Sequence, residues 1–172
     1  MSISRLLLST ACVCLLLVSC KQFNRNNAIN FNNKIEKVNQ TIAAYASKWR
    51  NNYVDCKRTG DYYKLGEPRE RMEKYIEKQT KTIKQIELAG KGGIRFKNEE
   101  LAFLKLEHDI ISFGISRLEG LNAKSTEEEK QYIINIIADM AEKEEAELKQ
   151  LDKIQVQYAR DNDFELRKVL LQ

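Results

Sequence analysis

His108 is the one histidine in the chain. An imidazole can ligate iron or another metal, and it can move a proton near neutral pH. Met72 and Met140 carry thioethers that could complete such a ligand pair. Antiparallel pairing across a turn at residues 121–126 puts His108 level with about Asp139 and Met140, so His108 with Met140 is the candidate ligand contact. The wider pattern argues against a cofactor. A di-metal bundle needs Glu-x-x-His motifs from two helices, and covalent haem needs C-x-x-C-H. The chain has neither, so no metal and no cofactor are expected, and His108 is expected as a hydrogen-bonded core residue.

Glu142, Glu144, Glu145 and Glu147 are the second group with chemical potential. Paired acids perform acid and base steps only in a cleft that separates their pKa values. Lys143 and Lys149 interleave with them, which is the pattern of a solvated helix face. Gly90-Lys91-Gly92-Gly93 lacks the G-x-x-x-x-G-K-[ST] spacing of a phosphate loop and is expected as a helix-ending turn. No G-x-S-x-G or H-E-x-x-H occurs, so no catalytic residue is assigned and the chain is not expected to be an enzyme.

The cysteines divide by context. Cys12 and Cys14 lie in the apolar run Leu6 to Leu17, which follows the single basic side chain Arg5. That run is shorter than the roughly 20 residues a spanning helix needs and matches the core of an export signal. It closes on Leu17-Val18-Ser19-Cys20, followed by Lys21-Gln22. Cys56 is then the one thiol left in the mature chain, which excludes an internal disulfide.

Leu17 to Cys20 resembles the lipid-attachment box of bacterial lipoproteins. The resemblance implies cleavage before Cys20, a diacylated thioether on its sulfur and an acylated amine. One acyl chain binds a membrane only marginally, whereas several on one residue make a stable anchor. The expected organisation is a signal peptide over 1–19, the lipidated Cys20 with a flexible tether over 20–30, a helical bundle over 31–163 and an apolar tail over 164–172.

With Arg5 lost on cleavage, 28 basic and 25 acidic residues leave a charge of +3, which excludes a strong nucleic-acid footprint. One proline and seven glycines in 172 residues favour helix throughout. Ile35, Ile42, Trp49 and Cys56 repeat every seven residues with Val38 and Tyr45 between them, predicting helix over about 31–58 and a buried Cys56. Tyr62, Tyr63 and Leu65 are expected to close the end of the core. Pro68 suits a first helical position, and Met72, Ile76, Ile83 and Ile86 form one stripe over about 68–89.

A third helix, over about 98–121, is apolar on two stripes: Leu101, Leu104, Ile111, Ile115 and Leu118, then Phe103, Leu106, Ile110 and Phe113. A helix apolar over most of its circumference belongs at the centre. A capping box, from Ser125 with Glu128 or Thr126 with Glu129, starts the fourth helix, which runs to about Arg160 with apolar cover thinning over 141–147. Short connections make this an all-α, up-down-up-down four-helix bundle. The tail is expected to plug its open base.

The four amphipathic segments and the ending Glu147-Leu148-Lys149-Gln150-Leu151-Asp152, then Tyr158 to Phe164, are similar to small uncharacterised helical surface lipoproteins of bacteria. The resemblance brings no activity. It implies anchoring through acyl chains on Cys20, and Lys21 in place of Asp favours the outer over the inner membrane. The function expected is a non-enzymatic envelope binding module with a protein partner. The alternatives are a carrier of haem, metal or an apolar molecule, or an immunity-type lipoprotein.

Overall fold

The computed structural model describes residues 3–87, 90–122 and 124–166, with side chains from Asn24 onward. The described residues form four long helices and no strand. They are α1 (Ile3–Thr59), α2 (Gly66–Lys84), α3 (Gly93–Asp109) and α4 (Glu127–Asp161). The fold class is all-α, as composition and periodicity require.

Three apolar clusters follow one another through the bundle. Ala28, Phe31, Ile35, Phe96, Phe103, Leu151, Ile154 and Tyr158 fill one end. Val38, Ile42, Met72, Ile76, Ile83, Leu104, Ile110, Ile111 and Ile115 contribute to the middle. Cys56, Tyr62, Leu65, Leu118 and Leu121 fill the other end. Rising numbers on α2 meet falling numbers on α3 and its continuation to Gly120: Arg69 pairs with Glu119, Ser112 donates to Glu73 at 2.6 Å, and Lys97 donates to the Lys84 carbonyl at 2.7 Å. Between α3 and α4, Gly93 lies against Tyr158 and Gly114 against Ile137 and Met140.

Several boundaries differ from expectation. The bundle begins before residue 31. Residues 24–30, expected as part of a flexible tether, belong to α1, where Ala28 is fully buried and the Arg25 Nε donates to the Asp163 carbonyl at 2.7 Å. The cause is periodic: Ala28 sits one turn before Phe31 and Asn32 on the same buried stripe. Pro68 is the third residue of α2, still within the first turn whose N–H groups have no helical partner. Tyr62 and Leu65 close the core, while Tyr63 turns outward.

The third helix does not run unbroken to Leu121. It opens into a π turn over Ile110–Gly114 and then tightens into a 3-10 helix over Ile115–Gly120. Ser116 Oγ donates to the Ser112 carbonyl at 2.5 Å and Arg117 Nε to that of Phe113 at 2.8 Å, so side chains serve carbonyls in the widened stretch. Gly114 is what this stretch offers α4. A Cβ there would stand 3.1 Å from the Met140 sulfur. Phe113, assigned by periodicity to the second apolar stripe, is exposed instead.

α4 starts with the Thr126–Glu129 capping box: Glu129 N donates to Thr126 Oγ1 at 3.1 Å, and Thr126 N to Glu129 Oε2 at 2.9 Å. Its fully buried residues, Leu151, Ile154, Tyr158 and Ala159, all lie in the last third. The helix ends in a Schellman motif, with Asp163 left-handed at φ 55° and Phe164 N donating to the Ala159 carbonyl at 3.1 Å. Phe164 packs edge-on against Tyr158, and residues 167–172 of the tail lie outside the described residues.

Asn162 clamps this end. Its side chain exchanges two 2.9 Å bonds with the backbone of Lys91 and donates to the Tyr158 carbonyl at 2.8 Å. Gly90 makes room for it. Its φ is +76°, and a Cβ there would fall 2.0 Å from Asn162 Oδ1.

Candidate functional site: buried carboxylates of the third helix

The two apolar stripes of α3 leave few positions for charge that are not enclosed by neighbouring helices. Glu100 and Glu107 occupy such positions, two turns apart, with 0% and 7% of their surface exposed. Asn39 of α1 donates its Nδ2 to Glu100 Oε2 at 3.1 Å. Glu100 Oε1 and Asn39 Oδ1 are both buried without a hydrogen-bond partner. Burial disfavours the charged form of a carboxyl, and it pushes Glu100 up to about 7 against the relief from Asn39. A proton on Glu100 would supply the one donor that this pair of side chains lacks.

On α4, Glu144 is the charged group that acts most strongly on Glu107. Burial, then the Glu144 charge, holds Glu107 well above the usual carboxylate range. A milder version recurs nearer the start of α3. Burial and Glu147 raise Glu99, opposed by Arg95. The acidic run of α4 is therefore not one solvated face, since Glu144 and Glu147 are half-buried while Glu142 and Glu145 are exposed.

Together these groups can store protons between helices. They do not form an open catalytic centre, because Glu100 and Glu107 are walled in by the bundle. Among the described residues, no three His, Cys, Asp or Glu side chains are placed to hold a metal ion.

His108 is not a core residue of the seam. It is half-buried and faces α2, with Nε2 3.7 Å from both Glu73 Oε1 and Glu77 Oε1 and Nδ1 3.4 Å from Ser112 Oγ. The Ser112 hydroxyl, with Arg69, holds the Glu73 carboxyl below its ordinary value. Met140 lies on the α4 side against Gly114, and Met72 is buried in the middle cluster. The structure thus assigns His108 and Met140 to different faces of the third helix. The pairing Glu107 with Glu144 puts His108 about one turn away from its expected level on α4. Six residues wound as a 3-10 helix rise about 2.0 Å each rather than 1.5 Å, which displaces α4 in that direction.

Cys56 is 3% exposed, and burial followed by Asp61 pushes its thiol pKa up, the opposite of nucleophile activation. The side chain of Cys20, the expected lipid-attachment residue, lies outside the described residues.

Sequence reasoning missed Glu100 and Glu107. The signal was present: acids seven residues apart on a helix already marked as apolar around most of its circumference. Comparison with protein-family models, curated proteins and solved structures gave no match.

Proposed function

We propose that the chain is a bacterial lipoprotein whose helical bundle is held at the cell envelope by acyl chains on Cys20 and acts as a non-enzymatic binding module for an envelope protein. The observation that carries this reading is the apolar run after Arg5 closing on Leu17-Val18-Ser19-Cys20. Lys21 in the next position favours the outer membrane.

Two structural features support it. The packed part of α1 starts only a few residues beyond Cys20, at the end of the bundle where α4 finishes. At the opposite end the surface carries exposed aromatic side chains, Tyr63 at 71% and Tyr132 at 64%, of the type that anchors protein contacts. Tyr132 stands beside Arg117, Leu121 and Ile133 around a shallow depression.

The test is metabolic labelling with a radioactive fatty acid. The intact chain takes up label and stays with membranes in high salt, whereas Cys20→Ala loses both properties while keeping its helical circular dichroism. An intact chain that washes off in salt overturns the anchor. Crosslinking in whole cells through a photoreactive residue at Tyr132 then captures the partner, and capture of none overturns the binding role.

A further inference from the structure

The 3-10 stretch Ile115–Gly120 shares a shallow depression of about 570 Å³ with the first turns of α4. Buried Leu121 and half-buried Ile133 give it apolar surface, and Tyr132 stands exposed beside them. Gly120 leaves it open, since a Cβ there would meet nothing within 4 Å. Two cations, Arg117 and Lys124, complete the lining. Arg117 Nε is fixed on the Phe113 carbonyl at 2.8 Å, and its terminal nitrogens have no partner among the described residues. Lys124 Nζ has none either. The neighbouring acids are already engaged. Arg69 pairs with Glu119, Lys130 pairs with Glu127 at 2.6 Å, and Glu129 accepts from Thr126 N at 2.9 Å. Glu128 does not line the depression.

We propose, resting on the reading of the bundle as a binding module, that this depression docks a protein segment in which an aspartate or glutamate adjoins an aromatic residue. The terminal nitrogens of Arg117 donate in parallel to the two oxygens of the carboxylate, a match that a guanidinium fork makes and a point charge does not. Lys124 adds the second positive charge. The partner's ring lies on Leu121 and Ile133 against Tyr132, where an aromatic anchor contributes most to an interface. Charge complementarity selects the acid, because both cations lack a carboxylate of their own. Shape selects a protein segment. A small molecule would be covered on one side only here, whereas ligand pockets enclose most of their ligand.

Panning a phage-displayed library of random heptapeptides on the full chain in detergent micelles tests it. The selected peptides carry an acid beside an aromatic residue, and a synthetic copy of the commonest one binds more weakly as salt rises. Arg117→Gln weakens that copy roughly tenfold to a hundredfold, the scale of a charged hydrogen bond. Gly120→Trp fills the depression and abolishes binding while the helical circular dichroism stays, as no positive φ demands glycine there. Should that variant not fold, Lys124→Glu on the exposed turn replaces it and gives the loss. Selected peptides without acids overturn the assignment, as does a panning that enriches nothing, or a copy that either folded variant binds as tightly as the unaltered chain. The wider reading is tested apart from this. A partner crosslinked through position 132 in whole cells, and captured equally by Arg117→Gln, keeps the binding module and removes the carboxylate from it.

Discussion

Replacing Glu100 by Gln should stabilise the bundle at neutral pH and leave it unchanged in acid. Burial raises the Glu100 carboxyl from 4.5 to about 7, a rise of about two and a half pH units. Each pH unit corresponds to about 1.36 kcal/mol, so the difference between protonation states approaches ~3 kcal/mol. The sign follows from linkage. A carboxyl whose pKa is higher folded than unfolded binds its proton more tightly in the folded state. Its contribution is complete below about 4.5, declines as pH rises, and is gone above about 7. The unaltered protein should therefore lose up to ~3 kcal/mol between pH 4.5 and pH 8 through this residue alone. Gln keeps the shape, accepts from Asn39 Nδ2 and donates to Asn39 Oδ1, satisfying both atoms now without partners. At pH 8 the variant should be more stable by as much as ~3 kcal/mol, or about 6–12 °C in melting temperature for a domain of this size. Urea unfolding followed by circular dichroism at pH 4, 6 and 8 measures this. A variant less stable than the parent at pH 8, or a parent whose stability does not fall over the interval, refutes the assignment of a neutral Glu100.

Three other perturbations test the frame around the carboxylates. Gly90→Ala adds a Cβ at φ +76° onto Asn162 Oδ1 and should cost about 1–3 kcal/mol, read as a lower urea midpoint. Thr126→Ala removes the capping-box oxygen and should cost about 1 kcal/mol, with faster amide exchange confined to the first turn of α4. Cys56 should resist a thiol reagent in the native state and react at the global unfolding rate, because the thiol is buried and held protonated; rapid native labelling would contradict its burial.

The heptad through Ile35, Ile42 and Cys56 placed two isoleucines and the thiol in the interior correctly, because a regular helix carries its buried face at a fixed angle per residue. The start of α4 was readable for a related reason: a capping box is a local bond between residues three apart. What escaped the sequence depends on distant partners. Ala28 is too small to mark a stripe by itself, and its burial comes from α4 and the turn at Gly90. The π turn at Ile110–Gly114 adds no unusual residue beyond Gly114, yet it turns Phe113 outward. The burial of Glu100 and Glu107 was half legible: their setting on an apolar helix was visible, but not that Asn39 and Glu144 would meet them. His108 sits on the α2 side of its helix, a choice made by Glu73, Glu77 and Ser112.

The continuity of α1 bears on reach. From Arg25 to Cys56 the helix advances without a hinge, and 31 steps of about 1.5 Å make a rod of roughly 45 Å. A chain fixed near its first residues would carry Tyr63 and Tyr132 as the tip of a short mast. Whatever approached that end of the bundle would meet a surface carrying both exposed rings.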